Sequence, residues 1–491
     1  MDRFAGTAPE TPSAASPTRV TTAAKPERRL GSRVEASSER SPWETRYAGV
    51  AVGLSVVIGA ALRLRWLGEP MRYDEAATFQ KYALGSVGHI VGTYDRPNNQ
   101  VFYSLLTHFS LGIFGHAVWV VRAVAFAAGV ALVPVAYLVA ARIHDRLVGL
   151  WAAALVATAA PLIDYSVNGR GYTLGALLVL LALWLGAGLL ERQTLARWRG
   201  FVVCCVLAVW TIPTMAIGVA IVAVWMALQR VDRQMLVRLA IALGVAGLLS
   251  LLLYSAALGQ SGWDAVTPLG RNWNDVTGLI DDIAENWTRA APHPLDWLLG
   301  VAFVGSLFVE RRLAIATGIV LLAVIAFGPI APFVRSWLFL LPFFLIQASV
   351  GLAYVSRRAG VVAPLVAAVV LGICVVGEGL RSADVPPISD NDIVGLLKKY
   401  ARPHEHILID RYTAAPTHYY YYERYGDPGV ETHFIRSTDR ENRHIVVVVP
   451  RGTSPVETVA KAGGAAAGRA RLLDRREWID FYDVPLRSDA G

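Results

Sequence analysis

Three stretches of the chain gather side chains that can move a proton or hold a phosphate. Met-Arg-Tyr-Asp-Glu at 71–75 sets two carboxylates side by side ahead of a helix-like run, Ala76–Leu84, that Gly85 can end. Acids in a first turn suit the helix dipole, so Asp74 and Glu75 are either structural or a catalytic pair. About twenty residues on, Tyr94-Asp95-Arg96-Pro97-Asn98-Asn99-Gln100 brings a carboxylate, a guanidinium and paired amides just before the aromatic run Val101-Phe102-Tyr103. Transfer of a group from a lipid phosphate to a hydroxyl needs a base for the acceptor and a cation for the departing phosphate. Both residue types are present here. Further on, the connector from Pro161 to Tyr172 holds Asp164 and Arg170 near a hydrocarbon boundary. A charge there is costly unless it is paired or functional, and an Asp164–Arg170 ion pair is the structural alternative. Arg122 and Arg335, near the ends of apolar runs, have a similar choice between snorkelling and binding phosphate.

These residues must be positioned by a membrane-embedded scaffold. Of 491 residues, 54% are hydrophobic and only 17% charged, against about 25% charged in a soluble globular chain. That excludes a soluble enzyme and a disordered chain. After a first span at 47–62, apolar runs near 118–141, 147–163, 172–190, 201–213, 214–229, 236–257, 295–309, 313–330, 336–354 and 361–379 make eleven. Several approach the roughly 20 residues that cross a bilayer as helix. If all eleven cross and nothing else does, the connectors holding Arg142, Arg146, Arg192, Arg197, Arg199, Arg230, Arg233, Arg238, Arg311, Arg312, Arg357 and Arg358 share one side. The positive-inside rule makes that side cytoplasmic. The net charge of +8 is then explained by topology, and no nucleic-acid partner is expected.

Residues 100–115 carry His108 and several hydroxyls, and a crossing there would move every later arginine-rich connector outside. They read instead as an interfacial amphipathic helix, which makes residues 63–117 one external loop. Residues 258–294 hold five acids, Asp264, Asp275, Asp281, Asp282 and Glu285, against Arg271 and Arg289. This loop is also external by expectation.

Residues 1–45 read as a disordered cytoplasmic tail, 46–380 as the transmembrane domain with an uncleaved first span, and 381–491 as a small extracytoplasmic α/β domain. In that last part, 391–400, 416–425 and 456–462 are expected helices, and 406–410, 444–449 and 478–484 expected strands. Cys204, Cys205 and Cys374 all lie inside apolar runs and read as small buried hydrophobes. The run His418–Tyr425 and the tryptophans Trp263, Trp273 and Trp287 are either sugar platforms or packing residues.

The order of Tyr-Asp-Glu after the first span, Asn-Asn-Gln-Val-Phe-Tyr-Ser-Leu-Leu, Val121-Arg122, Asp-Tyr-Ser-Val-Asn-Gly-Arg-Gly-Tyr and Arg335–Pro342 resembles the glycosyltransferase-C superfamily. The likeness is to the dolichyl-phosphate-mannose protein mannosyltransferases and the bacterial aminoarabinose transferases, and it covers about residues 45–355. It implies inverting transfer of a sugar from a polyprenyl-phosphate donor at the outer membrane face. Asp74 would be the base and Glu75 its partner. Arg96 stands where a phosphate-contacting lysine lies in the aminoarabinose enzymes, and Asp95 where a metal-binding glutamate lies. Asp164 matches the acid of the second external loop, and Arg170 and Tyr172 match an Arg-x-Tyr. Donor contacts would include Asn98, Asn99 and Arg335. The family's frequent histidine is absent at 98–100, and Ala77 replaces an arginine.

No cofactor is required by these motifs; if a divalent metal takes part, Asp95 and His293 are the candidate ligands. The expected partners are a lipid-linked sugar donor, the bilayer, and an envelope acceptor that is protein, lipid or polysaccharide. Two other classes compete. A transporter or flippase of lipid-linked sugars would carry ionisable groups at mid-membrane or broken helices in repeated positions. A non-catalytic envelope scaffold would not need acids gathered beside the first span.

Overall fold

The computed structural model describes residues 42–69, 71–94, 99–261, 276–327, 333–360, 363–381, 395–397, 399–400, 406–409, 444–461, 464–476 and 479–486. The polypeptide is an α-helical membrane protein with a small sheet near its C-terminus. Helix α1 (Pro42–Leu67) runs five residues beyond the expected first span, so Arg63 lies inside a helix rather than in the loop. Three short elements follow: α2 (Tyr73–Thr78), continued by a π-helical turn at Phe79–Ala83, then α3 (Val87–Gly92) and α4 (Val101–Phe114). Gly115, with φ 78°, ends α4 in a conformation that favours glycine.

The bundle continues through α5 (Val118–Ile143), α6 (Arg146–Thr158), α7 (Ala160–Ser166), α8 (Tyr172–Glu191), α9 (Leu195–Thr211), α10 (Met215–Ala227) and α11 (Arg233–Ser261). It closes with α12 (Val276–Thr288), α13 (Leu295–Ser306), α14 (Arg312–Phe327), a 3₁₀ turn at Val334–Trp337, α15 (Leu340–Ala359) and α16 (Ala363–Leu380). Among the described residues, five helices are long and apolar enough to cross a membrane, or six when α6 and α7 count as one bent span. Of the remaining expected spans, 214–229, 295–309, 313–330 and 361–379 fall on the shorter apolar helices α10, α13, α14 and α16, and 201–213 falls on α9.

The bend between α6 and α7, 58°, has a local cause. Pro161 has no N–H to give Ala157, and its ring excludes a straight helix. Buried Arg63 satisfies the released carbonyls, donating to Ala157 at 3.0 Å and Val156 at 3.3 Å, while its Nε reaches Ser166 at 3.0 Å.

Helix ends meet in two sets. At one end Arg142 of α5 pairs with Glu191 of α8 at 2.6 Å, Trp151 donates to Ser356 at 3.1 Å, and Arg312 donates to Gln229 at 2.7 Å. At the other end lie the 71–94 loop, the α7–α8 turn and the 3₁₀ turn. Between them the core is packed with Leu, Val, Ala and aromatic side chains, including Trp287 stacked on Phe344 with centroids 4.2 Å apart.

The C-terminal sheet has four strands, β1 (His406–Ile409), β2 (His444–Pro450), β3 (Arg471–Arg475) and β4 (Ile479–Pro485), in the order β1-β2-β4-β3. The β1–β2 pair is parallel, with Ile407 beside Val446, and the other pairs are antiparallel. Helix α17 (Pro455–Lys461) packs on it. Three strands and this helix fall where the sequence predicts them. The short polar edge strand β3 was not expected, and the helix expected at 416–425 lies outside the described residues.

Candidate active site

The site is built on α2, whose first turn holds both acids. Glu75 completes a capping box by accepting the Arg72 N–H at 2.7 Å. Its other bonds come from far along the chain. Arg122 grips it along one guanidinium edge, Nε to Oε1 at 2.8 Å and Nη2 to Oε2 at 2.7 Å, and the Gly169 N–H also donates to Oε1. The remaining Nη of Arg122 donates to the carbonyls of Trp66, Leu67 and Glu69 at 3.3, 3.0 and 2.8 Å. One buried guanidinium therefore ties the end of α1, the start of α2 and the α5 helix together. Arg122 does not snorkel: it is buried and bonded to Glu75 and to three main-chain carbonyls.

Burial alone would raise the Glu75 carboxyl, but Arg122 and the two backbone donors outweigh it and hold the group below its ordinary value. Glu75 is fully buried and saturated with donors. It is a poor base in this state and a good anchor.

Asp74 differs in each respect. Its carboxylate is 28% exposed and lies 3.2 Å from Nη2 of Arg335. Its backbone is fixed from below: the carbonyl accepts from Thr78 Oγ1 at 2.9 Å and from Arg170 at 3.4 Å, and Arg170 donates to Thr78 Oγ1 at 2.8 Å. Arg170 is thus buried under α2, with its guanidinium 5.9 Å from the Tyr172 ring centre. Arg335, on the 3₁₀ turn, also lies over Phe333 at 4.5 Å. Desolvation would lower its basicity, but Tyr172, Asp74 and Tyr165 more than compensate, so it stays a cation.

Asp164 does not pair with Arg170. It bonds Arg381 at 2.5 and 2.9 Å and Arg289 at 2.8 Å, so it joins α7 to the ends of α12 and α16. Arg381 also reaches Glu378 at 3.2 Å, and Arg65 donates to the carbonyl of Arg381 at 3.3 Å. Asn99 is buried and spent on the loop itself, donating to Ile90 and Thr93 carbonyls at 2.9 and 2.6 Å and accepting from Ser104 at 2.9 Å. Its neighbour Gln100 accepts the Gly171 N–H, linking the first loop to the α7–α8 turn.

Asp95, Arg96 and Asn98 lie outside the described residues. His293 is exposed and bonds Asp296 at 3.2 Å. Among the described residues, no three His, Cys, Asp or Glu side chains gather in a way that could hold a metal.

Sequence reasoning brought Asp74, Glu75, Arg170, Tyr172 and Arg335 forward, and the structure collects all five at one end of the bundle. It missed Arg122 as the partner of Glu75, Thr78 as the link to Arg170, and Arg289 and Arg381 as the partners of Asp164. The only available signal for Arg122 was a charge inside an apolar run, which demands a counter-charge without naming it.

Residues 95–259 match the family described as dolichyl-phosphate-mannose-protein mannosyltransferase. The match contains Asp164, Arg170 and Tyr172 and begins after Asp74. No curated protein matches the chain. Among solved structures, ArnT from Cupriavidus metallidurans bound to undecaprenyl phosphate is 14% identical, with a TM-score of 0.62 over 89% of this chain and 98% of that one. Its apo form gives 12% identity and 0.61 over 90% and 98%. The archaeal oligosaccharyltransferase AglB from Archaeoglobus fulgidus, in complex with an inhibitory peptide and a dolichol-phosphate, gives 14% and 0.51 over 78% and 64%. Over residues 95–259 the chain is thus similar to the dolichyl-phosphate-mannose-protein mannosyltransferase family, and over most of its length it shares the fold of the ArnT structures.

Proposed function

We propose that the chain transfers a sugar, with inversion, from a polyprenyl-phosphate donor to an acceptor hydroxyl at the outer face of the cytoplasmic membrane. One observation carries this reading: of two adjacent carboxylates, Glu75 is buried and neutralised by Arg122, while Asp74 is partly exposed beside a cation, Arg335. Such a division leaves one acid within reach of an acceptor hydroxyl, its hold on Arg335 open to exchange, while the other fixes the backbone that presents it. The lipid phosphates in the names of the ArnT and AglB structures support a lipid-linked donor.

In the proposed reaction Asp74 takes the proton of the acceptor hydroxyl as its oxygen attacks the anomeric carbon. The bond from that carbon to the phosphate oxygen breaks on the opposite face, and the polyprenyl phosphate leaves with the electron pair. Arg335 stabilises the departing charge, and Arg96 is the second candidate. Arg170 holds the Asp74 backbone, and Tyr172 backs both arginines. The polyprenyl chain stays among lipid tails, with its phosphate at headgroup depth. Any divalent metal would draw on Asp95; His293 has Asp296 beside it, and among the described residues no third His, Cys, Asp or Glu joins that pair. The N-terminus is read as cytoplasmic and the C-terminal domain as extracytoplasmic.

The test is Asp74→Asn in membranes supplied with a radiolabelled polyprenyl-phosphate sugar pool. Loss of about 10²–10⁴-fold in transfer is expected for removal of a general base, with the protein still inserted. A fully active variant refutes the mechanism, and loss of lipid flipping without any transferase activity in the parent indicates a transporter instead.

A further inference from the structure

At the end of the bundle opposite Asp74, a trough of about 610 Å³ opens between α9 and α11. Its size is within the roughly 300–1,000 Å³ of small-molecule sites. The lining is graded along both helices. Arg199 and Arg238 stand at the connector end, and Val202 and Val203 on one wall and Ile241 and Val245 on the other continue towards the middle of the bundle. Val203 and Ile241 are 52% and 60% exposed. A cationic mouth leading into an apolar trough matches an amphiphile with an anionic head.

The nearby carboxylates are already used. Glu191 is paired with Arg142, and Asp232 caps α11 by accepting the Met235 N–H at 2.8 Å. Arg197 turns back onto main-chain carbonyls of Gly188 and Arg192. Arg238 bonds only the neutral amide of Gln193, and Arg199 lies exposed beside it. Among the described residues, two guanidiniums therefore face the trough with no carboxylate bonded to either.

We propose that this trough binds an anionic two-chain phospholipid, its headgroup phosphate between Arg199 and Arg238 and an acyl chain along Val203, Ile241 and Val245. The site is independent of the proposed transferase reaction. It serves as a seat for structural lipid at the arginine-rich end of the bundle.

Native mass spectrometry of the purified full chain, exchanged against phosphatidylglycerol and phosphatidylcholine, measures the preference directly. An arginine near an anionic headgroup is worth about a fivefold gain, so Arg199→Gln with Arg238→Gln should reduce phosphatidylglycerol retention about thirtyfold. The lysine pair, Arg199→Lys with Arg238→Lys, should recover most of it. Arg311→Gln with Arg358→Gln removes the same charge from the same end and should retain the lipid. Ala242→Trp fills the trough while leaving both arginines and should also reduce retention. Equal loss in both glutamine pairs would mean diffuse electrostatics and overturn the site. Retention in Ala242→Trp would mean a phosphate contact without a lipid chain and overturn it as well. Displacement of phosphatidylglycerol by equimolar polyprenyl phosphate would identify a different occupant and refute the assignment.

Discussion

Replacing Arg122 with methionine tests how the acidic pair is divided. The side chain is buried, makes a bidentate ion pair with Glu75, and satisfies three carbonyls at and just beyond the end of α1. Methionine keeps much of the volume and none of the donors. Removing one partner of a buried pair leaves the other charge uncompensated, which costs about 3–5 kcal/mol. The expected result is a large fall in thermal midpoint for the detergent-solubilised protein at pH 7. The pH dependence supplies the sign. In the parent, Glu75 is held below its ordinary value, so its stabilisation is present above the ordinary carboxylate range and is lost as pH falls through the lowered value. Without Arg122 only burial and the backbone donors remain, so the carboxyl moves up. The variant's deficit should then narrow as pH falls from about 7 towards about 5, where the parent changes little. Adding Glu75→Gln should recover part of the loss, because a neutral amide tolerates burial better than an unpaired carboxylate. A single variant as stable as the parent, or a double variant no better than the single, would refute the reasoning.

Other outcomes follow from neighbouring contacts. Arg335→Ala should lower the transfer rate about 10²–10³-fold, as for loss of one electrostatic donor, while the partly exposed side chain leaves folding intact; single-turnover transfer measures it. Asn99→Ala removes two buried hydrogen bonds and one part-buried one from the first loop, each buried loss leaving a group whose desolvation costs about 1–3 kcal/mol, and faster proteolysis between α3 and α4 should report it. Gly351→Ala places a Cβ against the backbone of Ala302, so it should destabilise the α13–α15 contact by about 1–3 kcal/mol in a denaturation series.

The spans and the loop content were legible because they depend on local composition. The 71–75 acids and the 101–114 helix could be read for the same reason. Pairings across the bundle could not. Glu75 and Arg122 are 47 residues apart, and Asp164 meets Arg381 across 217; neither separation leaves a trace in periodicity. The alternative of an Asp164–Arg170 pair fails because nearness in sequence is its only support, whereas α2 draws Arg170 beneath Thr78 and leaves Asp164 facing the ends of α12 and α16. The bend at Pro161 was visible only as a proline near a run's end, and its buried support, Arg63, had been assigned to a loop.

The contact between Asp74 and Arg335 has a consequence for timing. A guanidinium cannot fully neutralise two anions at once, so a phosphate reaching Arg335 must loosen its hold on the carboxylate. Under the proposed chemistry, the base gains strength only after the leaving group has docked. Acceptors that arrive first would meet a quenched carboxylate, which favours a compulsory order in which the donor docks before the acceptor.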